Sequence, residues 1–289
     1  MINLFRIYCF HLIGILIISQ TNIPQIENSK DPINLKTAPI ISGVHTLSVH
    51  VRDTLTHDSV YQFFLRKLKL PIYYTPVKFG KTRYAGIYAG NMVLEPCGPY
   101  KNTIYAANNF RAIFYGMNFE VYQSLTICEH ELNIRGISHQ VNQGSIYIKD
   151  SILCNENVFS ALYEVNDKLI RDSLQNVLIT SVKNKPGIEY IKEIFIGYKE
   201  EANLMKWKDY LYPMEFGRND VCQINDSLQI HFKRGNINEV RGITFKVKSL
   251  EKAKEYLARN KFLITGSDKR IKLNQTQSFG LSIYFTDEK

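Results

Sequence analysis

The sequence holds no CxxC pair, no Cys/His cluster and no dense run of Lys or Arg. The first two absences argue against a structural zinc site, whose ligands arrive as closely spaced pairs. The third argues against nucleic acid as a partner. The formal net charge is +9, but the cations are spread along the chain and leave no basic footprint. A solvated Lys-rich surface accounts for such a balance, and an anionic small ligand would suit it. Also missing are a phosphate loop closed by Lys-Ser/Thr, a GxSxG nucleophile turn and an HExxH zinc helix.

Long apolar runs are scarce. Ile7–Ile18 follows Met1–Arg6, which carries one positive charge, and it is shorter than the ~20 residues a membrane span needs. Residues 1–20 therefore read as a signal peptide. An uncleaved N-terminal anchor is the alternative, because Ser19-Gln20-Thr21 is a poor cleavage site. Residues 21–40 read as a polar linker. The expected location is outside the cytoplasm, periplasmic or extracellular, with no membrane contact beyond such an anchor. Removing the leader takes Cys9 and leaves Cys97, Cys128, Cys154 and Cys222, which are expected to be buried free thiols.

What the chain does have is apolar and aromatic material. Hydrophobic residues make up 45% of 289 residues, and 18 Tyr with 16 Phe favour strands. That length suits one large or two small domains. An internal repeat decides between them. Four segments share one grammar: an alternating apolar strand, an amphipathic helix, then short strands ending in a polar turn. The first opens at Val44 with Leu47, Val49 and Val51 alternating, and its helix stripe is Val60, Phe63, Phe64 and Leu68. The second opens at Ile113, with Gly136 placed to end its helix. The third opens at Ile191 and the fourth at Val240. Residues 167–187 fit no module and read as a partly helical connection. The reading is an α+β fold of four βαβββ modules in two pairs, residues 41–166 and 188–289.

This grammar resembles the glyoxalase/bleomycin-resistance/dioxygenase superfamily, also called the vicinal oxygen chelate superfamily. The matching strings are VRDTL at Val51–Leu55, KVKSL at Lys246–Leu250, IFIGYKE at Ile194–Glu200 and GIYAGNMVLEPCGP at Gly86–Pro99. The resemblance covers most of residues 41–287 and is weakest in the second module. It implies two glyoxalase-like domains, each enclosing a cleft whose metal ligands come from first and last strands.

Alternation then sorts the candidates, since successive strand residues face opposite ways. With Leu47, Val49 and Val51 on the helix, Thr46, Ser48 and His50 face the cleft, as do Glu95 and Asn118. His45 has the wrong parity unless a one-residue bulge restores it. Glu164 stands where the family carries a metal-binding Glu. His50, Glu95 and Glu164 are thus the candidate ligands for a divalent metal, with His50 and Glu95 as catalytic groups. Thr46, Ser48, Asn118 and Tyr84 are the candidate contacts to a small-molecule ligand or substrate, and Tyr73 and Tyr88 could add aromatic walls. In the second pair Glu193, Gly242, His231 and Tyr284 fall at the four ligand positions, an incomplete set. Two functions follow from the resemblance. One is a lyase, isomerase or dioxygenase using the first cleft. The other is a metal-free protein that binds or sequesters a small ligand.

Overall fold

A computed structural model of the chain describes residues 39–100, 110–154, 158–180 and 185–288. The leader and nearly all of the linker expected at residues 1–40 lie outside these residues. Among the described residues no helix is long and apolar enough to cross a membrane.

The first module is β1 (Ile41–Val51), α1 (Thr54–Gln62), β2 (Ile72–Phe79), β3 (Thr82–Tyr88) and β4 (Val93–Gly98). Leu47, Val49 and Val51 are fully buried, as their alternation requires. Helix α1 is capped by Asp53, whose carboxylate accepts from the Thr56 amide at 2.7 Å. The cap thus lies just ahead of the helix it starts. The helix runs on into a π-helical turn at Phe63–Lys67, which still buries Phe63 and Phe64.

The second module is β5 (Ala112–Val121), α2 (Leu125–Ile134), β6 (His139–Asn142), β7 (Ser145–Ile148) and β8 (Phe159–Tyr163). Gly136 follows α2 with φ +60°, the left-handed turn that suits glycine. Helix α3 (Lys168–Thr180) lies in the connection. The third module is β9 (Ile188–Tyr198), α4 (Glu201–Leu211), β10 (Val221–Asn225) and β11 (Leu228–Arg234). Its first strand after the helix shrinks to one bridge, Phe216 to Cys222. Asn219 and Asp220, both at positive φ, turn the chain there before a strand can extend. The fourth is β12 (Glu239–Val247), α5 (Leu250–Arg259), β13 (Ile264–Gly266), β14 (Ile271–Leu273) and β15 (Ile283–Thr286).

The modules pair through their opening strands. β1 runs antiparallel to β5, giving the order β2-β3-β4-β1-β5-β8-β7-β6. β9 runs antiparallel to β12, giving β10-β11-β9-β12-β15-β14-β13. A single rung, Val240 to Phe114, joins the two curved sheets. Most of the buried apolar side chains form one continuous cluster from Ile40 to Phe285, and Ile113 with Phe110 stands apart from it. Contacts between helices and loops extend that continuity: the Tyr256 hydroxyl donates to the Lys67 carbonyl at 2.8 Å, and Arg135 donates to the carbonyl of Tyr212 at 2.8 Å. Cys97, Cys128, Cys154 and Cys222 are all free thiols.

Candidate functional site

In the first sheet the inward row of β1 carries Thr46, Ser48 and His50. Register sets Thr46 opposite Asn118, Ser48 between Gly116 and Glu95, and His50 opposite Cys97. His50 is 9% exposed and lies flat between Tyr100 and Tyr115, with ring centroids 4.0 and 3.6 Å away. Burial lowers its pKa to about 3, so the ring is neutral at ordinary pH. Glu95 accepts a hydrogen bond from the Tyr74 hydroxyl at 2.5 Å. Burial pushes this carboxyl up and the Tyr74 bond partly opposes it. The Tyr84 and Tyr100 hydroxyls pair at 3.3 Å. Asn118 has a buried Oδ1 with no partner among the described residues.

Glu164 does not join this row. It is exposed, and its carboxylate accepts from the Leu125 amide at 2.9 Å, at the start of α2. Parity explains the correction. Ser160 and Leu162 are buried, and Glu164 falls on their side of the strand, while Tyr163 points the other way and pairs with the Tyr147 hydroxyl at 3.3 Å. The proposed trio of His50, Glu95 and Glu164 is therefore not assembled. Among the described residues no three His, Cys, Asp or Glu side chains converge as a metal site.

His45 moves the opposite way. A bulge between Val44 and Thr46 leaves it out of register. Its Nδ1 meets Thr46 Oγ1 at 2.8 Å and its Nε2 meets Asp167 Oδ2 at 3.1 Å. Asp167 also accepts from the Tyr73 hydroxyl and pairs with Arg171 at 2.9 Å, and Arg171 reaches Glu120. Burial opposes the Asp167 charge, but the bonds from His45 and Tyr73 and the nearby cations prevail and lower its pKa to about 2. Helix α3, read from sequence only as a connection, thus ties one end of the first sheet shut with an ionic network. Tyr73 is engaged at that end. Tyr88 is turned to the Gly90 carbonyl.

The second sheet has a cavity of ≈ 570 Å³, lined by Phe195, Lys233, Arg241, Arg270, Ser282 and Tyr284 together with Phe110 and Phe114. Beside it lie two of the residues expected from sequence. Glu193 is 4% exposed, and His231 Nε2 stands 3.7 Å from its carboxylate. Sequence reasoning missed their partner. Arg270 Nη2 donates to both Glu193 oxygens, at 2.7 and 2.6 Å. The guanidinium lies 5.7 Å from the Phe195 ring and 5.9 Å from the Tyr284 ring. Burial, and then the Arg270 charge, lower the His231 pKa against the pull of Glu193. Gly242 has no side chain to offer a metal, and a Cβ there would lie 2.6 Å from the Ser282 carbonyl oxygen.

No protein-family model and no curated protein matches this chain. Solved structures do. An extradiol ring-cleaving dioxygenase from B. fuscum superposes with TM-score 0.56 at 12% identity, covering 93% of this chain and 75% of that one. A mutant of 4-hydroxymandelate synthase from Streptomyces coelicolor gives 0.54 at 9%, covering 85% and 92%. The Mn(II)-bound glyoxalase from Novosphingobium aromaticivorans gives 0.53 at 8%, covering 86% and 83%. The fold is that of the vicinal oxygen chelate superfamily, four modules in two pairs.

That glyoxalase holds a divalent metal, and the described residues here do not fit one. A metal needs several lone pairs converging at about 2.0–2.3 Å. In the second sheet both Glu193 oxygens already accept from Arg270. In the first sheet Glu95 accepts from Tyr74, His50 lies between two tyrosine rings, and Glu164 caps a helix.

Proposed function

We propose that this chain is a small-molecule-binding protein that works without a bound metal, with its ligand site in the cavity of the second sheet. The observation that carries the reading is the Arg270–Glu193 pair. It neutralises the inward carboxylate of the second sheet beside a cavity of ≈ 570 Å³, within the usual size range of small-ligand sites. The aromatic walls and the few fixed polar groups suit such a site as well.

The test is elemental analysis of the full-length chain purified without chelator, followed by titration with Mn(II). The expected result is no stoichiometric metal and no saturable binding. Metal bound in a fixed ratio and lost in Glu193→Gln would overturn the reading.

One observation favours a second reading, proton-transfer chemistry in the first sheet. The Glu95 carboxyl faces inward, holds a hydrogen bond from Tyr74 and is shifted toward its neutral form. A lyase or isomerase would use such a group next to a carbonyl. Glu95→Gln would then abolish turnover and leave the second-sheet cavity unaffected.

A further inference from the structure

The cavity also carries a charge preference. Its lining holds three cations, Lys233, Arg241 and Arg270, and one anion, Glu239. Each is committed differently. Arg241 Nε is held by Glu239 at 3.1 Å. Arg270 is fixed through Nη2 on Glu193, and its Nε and Nη1 have no hydrogen-bond partner among the described residues. Lys233 is exposed and has no ion-pair partner among them. Counting Glu193 beside the cavity, three cations face two anions, so one positive charge is uncompensated. Lys272, whose ammonium lies 5.4 Å from the Tyr284 ring, adds another close by.

Geometry makes this surplus usable. The Arg270 guanidinium is wedged near Phe195 and Tyr284 while Glu193 holds one edge of it. A planar cation fixed in this way keeps its free N–H groups oriented, so little entropy is lost when they bind a second carboxylate. The rings beside it offer flat apolar surface for the rest of a ligand.

Resting on the reading of this cavity as the ligand site, we infer that its ligand is a small organic anion, a carboxylate on a flat apolar body. The carboxylate meets Arg270 and Lys233, and the body lies along Phe195 and Tyr284. Glu193 is then a positioning residue: it aims Arg270 and does not itself touch the ligand.

The test compares benzoate with benzamide, its neutral isostere, by titration calorimetry on the full-length chain. Benzoate is expected to bind at least about 10-fold tighter than benzamide, the size of one charge-assisted hydrogen bond. Raising the salt should narrow that gap. The paired change Glu193→Gln with Arg270→Gln keeps two hydrogen-bonding side chains and removes both charges. It should cut the preference for benzoate to the few-fold share that Lys233 alone supplies. Lys233→Met, an exposed position that does not threaten folding, should reduce the preference several-fold, roughly the worth of a partly screened charge. Equal binding of the two probes would overturn the anion and leave the cavity reading standing. A preference that survives both variants undiminished would overturn the assignment to these residues. Failure of both probes to bind would also overturn the inference, while the metal titration judges the cavity reading separately.

Discussion

The Asn91 side chain bonds the Ile191 backbone in both directions: its amide nitrogen donates to the Ile191 carbonyl at 2.8 Å, and its oxygen accepts from the Ile191 N–H at 3.0 Å. Asn91 precedes β4 in the first module and Ile191 sits in β9 of the third, so one amide group stands in for a strand rung between the two halves. Gly90 beside it has φ +94°, and a Cβ there would lie 2.0 Å from the Glu189 carbonyl oxygen. Removing two partly buried hydrogen bonds leaves two backbone groups unpaired. Asn91→Ala is therefore expected to cost about 1–3 kcal/mol in urea unfolding. Gly90→Ala should cost no less, because the opposing atom is backbone. A change of Asn91 without effect on stability would mean that the halves are held together elsewhere.

His50 sets an acid limit on stability. Its pKa is about 3 in the fold, against 6.5 for the free side chain. Between those values the unfolded chain takes up a proton that the folded chain refuses. Stability therefore falls as pH drops from about 6.5 toward 3, in total on the order of 5 kcal/mol. Asp167, lowered to about 2, adds a further loss below its ordinary value. His57 and His231 are lowered too, so an unfolding profile alone does not single out His50. The direct measurement is imidazole NMR. The His50 resonances should not titrate above pH ~4 while the fold persists. Titration near the free-histidine value would show that the Tyr100–His50–Tyr115 stack is open to water.

Much of this was written in the sequence. The alternation of Leu47, Val49 and Val51 gave the buried face of β1, with Thr46, Ser48 and His50 at the alternate positions, where His50 stacks between Tyr100 and Tyr115. Glu193 and His231 were placed together by position in the repeat. Glu164 was misread although the signal was present: it shares parity with the buried Leu162, and parity decides the face. His45 is different. A bulge is a local exception to alternation, and nothing in the residues around His45 announces one. Arg270 was hidden for another reason. It follows Ser267-Asp268-Lys269 and precedes a strand of three residues, a context that reads as an exposed turn. Only the curvature of the sheet brings it across to Glu193. Asp167 and Arg171 are four apart, a spacing that fits a helical ion pair, but their role at the end of the first sheet depends on where α3 docks.

Glu164 gives a prediction that separates its two readings. As a cap it accepts from the Leu125 amide in the first turn of α2, next to Ser124, whose hydroxyl serves the Ile127 amide. Glu164→Ala should lower stability by about 1 kcal/mol, as loss of an exposed helix cap does. It should not change the binding of any small molecule or metal. A variant with normal melting temperature but altered ligand or metal binding would return Glu164 to the site.

The Arg270–Glu193 pair predicts strong non-additivity. Glu193 is 4% exposed, and its two oxygens both lean on one guanidinium nitrogen. Taking away Arg270 alone strands a buried carboxylate, and changes of that kind cost about 3–5 kcal/mol. Arg270→Ala should therefore be among the more damaging single changes in the second sheet. Glu193→Gln should be milder, because Arg270 is about one-third exposed and can turn to water. The double change removes the stranded charge, so it should be more stable than Arg270→Ala by about 1–3 kcal/mol. Urea unfolding of the four proteins closes the cycle. If the two single costs simply add, the pair is not coupled, and Glu193 does not fix the cation that the cavity presents.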